Sequence, residues 1–260
     1  MCLGAIHGPT ELLPVSSSAH TSLARRLCGW RSLHAEAQNA FDVALHAGTA
    51  AALLVAQRRV VAGELRRLDG RRAAAIAFSA MPPALAGYLA ERAVEEHADR
   101  PRMIAAGLVI GSVAMLAADR APQERERGDV RAVDGLALGL AQAAALFPGV
   151  SRTGAAVAAA RWRRFTRGEA GLLSRTIALP VIAGAAGLKG VRLHRRAIDR
   201  WTWEVIAIGA AAAFASGLVS QGLVGLVDRD RSPWPFAAYR IALAAALIAR
   251  PPGDHRRPAG

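Results

Sequence analysis

Gly8-Pro9-Thr10-Glu11-Leu12-Leu13-Pro14-Val15-Ser16-Ser17-Ser18-Ala19-His20 is the stretch on which the reading of this chain turns. It is greasy enough for a bilayer, yet it holds a carboxylate, an imidazole and a run of hydroxyls. A second stretch built the same way, Phe147-Pro148-Gly149-Val150-Ser151-Arg152-Thr153-Gly154, adds a guanidinium. Lipid tolerates such groups only where they face a cavity or partner one another. Together they are what a site for a charged headgroup on an apolar tail requires.

A proline inside an apolar helix removes a backbone donor and breaks or bends the helix. Pro14 and Pro148-Gly149 do so midway through two expected helix pairs, 2–13 with 16–28 and 134–147 with 149–161. Non-helical backbone at membrane depth survives only within protein or beside a water-filled cavity, so each pair reads as a re-entrant hairpin. Ser16 or Ser17, and Ser151, are natural N-caps for the outgoing helices. Helix N-termini offer free N–H groups and a positive dipole end, which suits phosphate. Two of them converging from opposite sides would cradle a diphosphate. Setting Pro14 on Pro148 aligns Leu12-Leu13-Pro14-Val15-Ser16-Ser17 with Leu146-Phe147-Pro148-Gly149-Val150-Ser151 without a gap, Ser17 on Ser151. An echo near half the chain length is the mark of an inverted repeat with broken helices near the midplane.

The surrounding composition agrees. The 260 residues are 53% hydrophobic, with mean hydropathy +0.23 although 20% are charged. Residues 73–90, 103–118, 135–151 and 205–227 carry no charge. A span needs about 20 apolar residues. A soluble alanine-rich helical protein would alternate polar and apolar faces, and 205–227 does not. Expected spans are 41–57, 73–90, 102–118, 171–190, 203–227 and 234–250. The expected fold is therefore an all-α polytopic membrane protein of about six transmembrane helices plus two re-entrant hairpins, in inverted topology. One integral-membrane domain covers 1–260, with half-repeats at about 1–118 and 134–250 and a polar tail at 251–260.

Net charge is +13, and every basic residue except Lys189 is arginine. The arginines flank apolar blocks and no nucleic-acid motif is present, so a nucleic-acid partner is not expected. By the positive-inside rule, 58–72 (six arginines against Glu64 and Asp69) and 161–169 (four arginines against Glu169) face the cytoplasm. Residues 91–101, with four acids against two arginines, face outward. The first hairpin then enters from outside and the second from inside. The basic loop 191–200 runs against this count. Cys2 and Cys28 form no metal-ligand spacing or disulfide framework. Met1–Ile6 is too short for a span, so the chain begins inside a re-entrant element or its true start lies upstream.

Each polar group has a bland reading beside the functional one. Arg152 is placed to grip phosphate bidentately; the alternative is snorkelling to an interface. Glu11 suits a divalent cation or a base; the alternative is a helix-end carboxylate. His20 lies about one helical turn beyond Ser17, a spacing at which imidazole activates a hydroxyl; the alternative is coincidence.

These residues resemble the bacterial undecaprenyl-diphosphate phosphatase family of the bacitracin-resistance type. Its first motif reads like Gly-x-Thr-Glu-Phe-Leu-Pro-(Val/Ile)-Ser-Ser-(Ser/Thr)-x-His, which Gly8 to His20 match with Pro9 in the variable place and Leu12 for Phe. Its second, Pro-Gly-x-Ser-Arg-(Ser/Thr)-Gly, is matched fully by Pro148 to Gly154. Further echoes are Phe41-Asp42-Val43 with Gly48, Met81-Pro82-Pro83-Ala84 with Gly87, Ala178-Leu179-Pro180, and Pro235-Phe236-Ala237-Ala238-Tyr239-Arg240. The resemblance implies hydrolysis of a C55 isoprenoid diphosphate to the monophosphate at the bacterial cell membrane, recycling the peptidoglycan lipid carrier. It implies Ser17 as nucleophile or phosphate-contacting hydroxyl, His20 as its acid/base partner, Glu11 as ligand of Mg²⁺ or Ca²⁺ or positioner of water, and Arg152 as diphosphate clamp; beside Glu11, His7 is a further candidate metal ligand. Ser16, Ser18, Ser151, Thr153, Gly154, Tyr239 and Arg240 would line the substrate pocket. Homodimerisation stays open. The alternative class is a transporter or flippase of the same lipid, which needs the arginine and helix ends but no nucleophile. Two departures stand out. His7 replaces the family's usual Glu or Gln, and in Phe41-Asp42-Val43-Ala44-Leu45-His46 a histidine takes the place of Gln. Both are expected to alter metal choice or pH sensitivity.

Overall fold

A computed structural model describes residues 1–30, 35–90, 100–195, 199–228 and 231–249. Its regular elements are helices: α1 (Cys2–Leu12), α2 (Ser17–Leu27), α3 (Ala35–Ala56), α4 (Arg58–Arg66), α5 (Gly70–Leu89), α6 (Pro101–Asp119), α7 (Ala132–Ala144), α8 (Arg152–Trp162), α9 (Arg167–Arg195), α10 (Arg200–Val219), α11 (Val224–Asp228) and α12 (Trp234–Ala249). Both expected hairpins form, α1 with α2 and α7 with α8. The 11 residues of α1, α2 and α8 span about 16 Å at 1.5 Å per residue, roughly half of the hydrocarbon core.

Among the described residues, four helical stretches are long and apolar enough to cross a membrane: Ala37–Ala56, Pro101–Asp119, Arg167–Arg192 and Arg200–Val227. Two of the six expected spans fall short of that standard. Helix α12 has 16 residues, and the 20-residue α5 is diluted by Arg71, Arg72, Pro82 and Pro83. The expected helix 203–227 is interrupted by a 3-10 turn at Ser220–Leu223, where Gln221 Nε2 donates to Gly217 O at 2.8 Å. Residues 58–72 are not all loop, because α4 forms there with no buried residue. Half of the basic loop, 191–195, is the end of α9. Its residues 196–198, the outer loop at 91–99 and the tail 251–260 lie outside the described residues.

Small residues let the hairpins pack closely. Helix α1 lies on α10, where a Cβ on Gly4 or Gly8 would meet Gly209 O or Ser216 Oγ. Helix α7 lies on α5 in the same manner, with Gly135 against Ala75 O and Gly139 against Ser79 O. Small residues four apart permit backbone contact between helices in lipid. The contacts also trade halves: the first hairpin packs on a helix of the second half, and the second hairpin on a helix of the first.

Both hairpins break with the same backbone device. The N-caps Ser16 (φ 73°, ψ 92°) and Ser151 (φ 54°, ψ 113°) take positive φ, and Gly149 has φ 90°. A non-glycine residue there costs on the order of 1–3 kcal/mol and persists only where its surroundings enforce it. The gap-free alignment of Ser17 on Ser151 is thus one residue off, because Ser16 and Ser151 are the equivalent N-caps.

Arg240 enforces the breaks. It is 0% exposed. Its Nη1 donates to Pro14 O at 3.0 Å and its Nη2 to Gly149 O at 3.2 Å, so one guanidinium holds both tips. Its Nε donates to Ser112 Oγ at 3.1 Å, and further bonds reach Gly107 O and Leu108 O on α6. The expectation that Arg240 lines the substrate pocket is therefore corrected. Its donors are consumed by main-chain oxygens, since a broken helix leaves carbonyls that burial obliges something to satisfy. Arg240→Met is expected to lower the thermal unfolding midpoint in detergent, because Pro14 O and Gly149 O each lose a buried partner worth about 1–3 kcal/mol. Arg240→Lys should not restore it, since an ammonium lacks the fork. An unchanged midpoint with lost activity would return Arg240 to the substrate side.

The two loops expected on the cytoplasmic side share one face. Arg127 bridges them, its Nη1 3.0 Å from Glu64 Oε1 on α4 and its Nε 3.1 Å from Glu169 Oε2 on α9. At the root of the second hairpin, the fully buried Asp134 takes a bidentate grip from Arg125 at 2.9 and 2.6 Å, and a third bond from Arg163 at 2.6 Å. Hydrogen bonding to Asp134 raises the Arg125 pKa, so this clasp keeps its charge.

Candidate active site at the hairpin tips

The last turn of α1 and the first turn of α8 meet. Arg152 Nη2 donates to Glu11 Oε1 at 2.9 Å, and Thr153 Oγ1 donates to Glu11 O at 3.1 Å. Across its own hairpin, Ser17 Oγ donates to Glu11 Oε2 at 2.6 Å. Residues from opposite ends of the chain thus share one carboxylate, with a hydroxyl on one oxygen and a guanidinium on the other. Helix α2 has no side-chain cap, so its first-turn amides remain for a ligand oxygen. At α8 the Ser151 side chain accepts from Gly154 N at 3.2 Å.

His20 does not act on Ser17 in this arrangement. Its Nδ1 lies 2.8 Å from Ser16 O, an acceptor only, so Nδ1 carries the proton. Its Nε2 lies 2.7 Å from Tyr239 Oη, with the rings stacked at 5.6 Å. The expected Ser17–His20 pair is replaced by Ser17–Glu11, because the positive φ of Ser16 turns its carbonyl onto the imidazole and leaves the carboxylate beside the hydroxyl. Ser18 is exposed, with Oγ 3.2 Å from Ser16 Oγ. Gly154 is buried against Arg240 and Met115, its amide already used by Ser151. It therefore faces the scaffold, contrary to the expectation that it lines the pocket. Tyr239 is half exposed beside His20, where a ligand can reach both.

The two histidine departures converge here. His7 and Glu11 are four apart on α1, one above the other, and His46 and Thr49 are three apart on α3. His7 Nδ1 is 3.0 Å from Thr49 Oγ1, and the His7 and His46 rings meet edge-on at 4.5 Å between centroids. His46 Nδ1 lies 2.8 Å from Arg152 Nη2 and 3.2 Å from Glu11 Oε2. With a bare Nδ1 it accepts from the first, and with a hydrogen on Nδ1 it donates to the second, never both. Sequence reading missed Thr49, although the turn spacing from His46 was a usable signal.

A roomier cavity lies away from this chemistry. About 590 Å³ opens at the basic face, with Arg58, Arg59, Arg127 and Arg175 on its walls. At the tips a narrow pocket of about 30 Å³ brings Glu11, His46, Thr49 and Thr153 together with the apolar Leu12, Leu53, Leu179 and Ile182. The tips are the better candidate, since there, among the described residues, hydroxyl, carboxylate, guanidinium and open helix end coincide.

Residues 1–246 match the protein family described as bacitracin resistance protein BacA. The chain belongs to that family. It is 36% identical over 262 residues to the undecaprenyl-diphosphatase of Geobacter sulfurreducens, with 95% of each chain covered. It is 32% identical to the undecaprenyl-diphosphatase of Campylobacter curvus, over 95% of this chain and 96% of the relative. The family places the polytopic helical fold in a membrane and gives it a lipid substrate.

The residues at the tips of this BacA member are a mixed donor set for the Mg²⁺ or Ca²⁺ that the resemblance implied. Hard cations take oxygen ligands: Ca²⁺ gathers many carboxylates and carbonyls, while Mg²⁺ is held by one or two carboxylates with substrate phosphates and waters. Here the tips supply one carboxylate, Glu11, and two imidazoles, His7 and His46.

Proposed function

We propose that this chain hydrolyses a polyprenyl diphosphate, undecaprenyl diphosphate first, to the monophosphate and inorganic phosphate. In the bacterial cell membrane this would recycle the lipid carrier of peptidoglycan synthesis and confer resistance to bacitracin. The observation that carries the reading is the shared carboxylate: Ser17 Oγ on one oxygen of Glu11 and Arg152 on the other. Ser17 Oγ attacks the terminal phosphorus and passes its proton to Glu11 Oε2. The bond from that phosphorus to the bridging oxygen breaks, and the oxygen leaves on the lipid monophosphate. Water then attacks the phosphoserine, Glu11 returns its proton to Ser17 Oγ as the bond from phosphorus to that oxygen breaks, and the hydrogens of the water leave with the inorganic phosphate. Arg152 turns from Glu11 to the phosphoryl oxygens and stabilises their growing charge. The open first turn of α2 and the hydroxyls of Ser16, Ser151 and Thr153 receive the remaining oxygens, while Leu12, Leu53, Leu179 and Ile182 flank the start of the prenyl chain.

The supporting architecture is one integral-membrane domain whose two halves, about 1–118 and 134–250, are inverted copies meeting at the tips. A carrier or flippase has no use for a hydroxyl hydrogen-bonded to a carboxylate beside the arginine, so the Ser17–Glu11 contact favours hydrolysis. The test is phosphate release from undecaprenyl diphosphate by purified full-length protein in detergent. Stoichiometric binding without phosphate release would support the carrier instead.

A further inference from the structure

We infer that His7, Glu11 and His46 form a site for a borderline divalent transition metal, zinc the best match, in place of a hard Mg²⁺ or Ca²⁺. One donor atom from each residue lies within 4.8 Å of the other two. Modest side-chain rotations bring such a set to the roughly 2.0–2.2 Å that zinc takes from imidazole and carboxylate. Two imidazoles and one carboxylate are a donor set of hydrolytic zinc sites, and imidazole nitrogen selects zinc over magnesium and calcium.

Two independent features point to a ligand. The first is His7 Nε2, which is buried without a hydrogen-bond partner among the described residues. A buried polar atom left so is costly, and coordination is what would satisfy it. The second is Thr49, whose Oγ1 lies 3.0 Å from the other His7 nitrogen. Metal-binding histidines are oriented by such an outer contact on the nitrogen that does not bind the ion.

The site also couples to Arg152. The guanidinium sits on Glu11 Oε1 and on His46 Nδ1, atoms of two of the three candidate ligands. Ser17 sits on the other oxygen of Glu11. An ion at the cluster therefore competes with Arg152 for Glu11 and His46, freeing the guanidinium for a phosphoryl group. That catalytic meaning rests on the phosphatase reading; the binding itself does not.

The experiment uses chelator-stripped full-length protein in detergent, titrated with Co²⁺, Zn²⁺, Mg²⁺ and Ca²⁺ by calorimetry and visible absorption. The expected result is one Co²⁺ per chain with the intense d–d bands of a low-coordinate site, displaced by Zn²⁺ and unaffected by millimolar Mg²⁺. His7→Gln and His46→Gln should each abolish the bands with helical circular dichroism unchanged. Thr49→Val should weaken Co²⁺ binding by about tenfold or more. Arg152→Ala should tighten it, since a competing cation is gone. Co²⁺ binding that survives both glutamine variants, or tight Mg²⁺ or Ca²⁺ binding with none for Co²⁺, would overturn the inference. Phosphate release is measured in parallel. Hydrolysis with Mg²⁺ alone and no Co²⁺ site sinks the metal inference and spares the phosphatase reading. A Co²⁺ site with no hydrolysis under any metal does the reverse.

Discussion

Ser17→Ala is expected to reduce kcat on the order of 10⁴-fold or more, with the affinity for lipid diphosphate changed only a few-fold. Loss of an attacking hydroxyl removes the covalent route altogether, and losses of that order are typical for nucleophiles that work with a base as a unit. Binding should persist because the contacts that hold the headgroup, Arg152 and the first turn of α2, are untouched. Ser17 is buried at the start of α2, and alanine fills the same space with no new clash. Glu11 keeps its neighbours Arg152 and His46, so the carboxylate stays in position. Rapid-quench detection of a phosphoenzyme in the wild type, absent in the variant, checks the assignment directly. Wild-type kcat in Ser17→Ala would make water activated by Glu11 the attacker. His20→Ala should cost less, because His20 bonds Ser16 O and Tyr239 and not the nucleophile.

Arg152→Ala is expected to lower kcat/KM by about 10³-fold, the usual worth of an arginine that meets transition-state charge on a phosphoryl group. Its side chain is only partly buried, so the thermal midpoint should move little while activity collapses. That separation distinguishes it from Arg240, for which stability should fall first. Arg152→Lys should recover little, because one ammonium cannot grip two oxygens in a plane. Recovery close to wild type would reduce Arg152 to a membrane anchor, and steady-state kinetics of the two variants side by side decide it.

Most of the fold was legible from local chemistry. Prolines in apolar runs marked the hairpins to within a few residues, and charge asymmetry put 58–72 and 161–169 on one face, which the Arg127 bridge to Glu64 and Glu169 bears out. Span lengths were less legible. Hydropathy cannot see that 203–227 tightens into a 3-10 turn or that 58–66 coils into a surface helix. The glycine pairs Gly4/Gly8 and Gly135/Gly139 were readable as small residues four apart, but what each one touches was not.

The site divides along the same line. Residue type, spacing and the family motifs singled out Glu11, Ser17 and Arg152 as candidates, and the structure brings the three together. Which of them pair depended on contacts between segments far apart in the chain. Only folding brought Arg152 and Thr153 onto Glu11, moved the hydroxyl's partner from His20 to the carboxylate, and drew His7 and His46 together. Arg240 shows the limit most sharply: in the chain it reads as one more cation near a phosphate site, and only in three dimensions is it the donor that two broken helices share. Periodicity and proline act within a turn or two and so are written locally. Hydrogen-bond partners across more than a hundred residues are chosen by packing, and no local pattern encodes them.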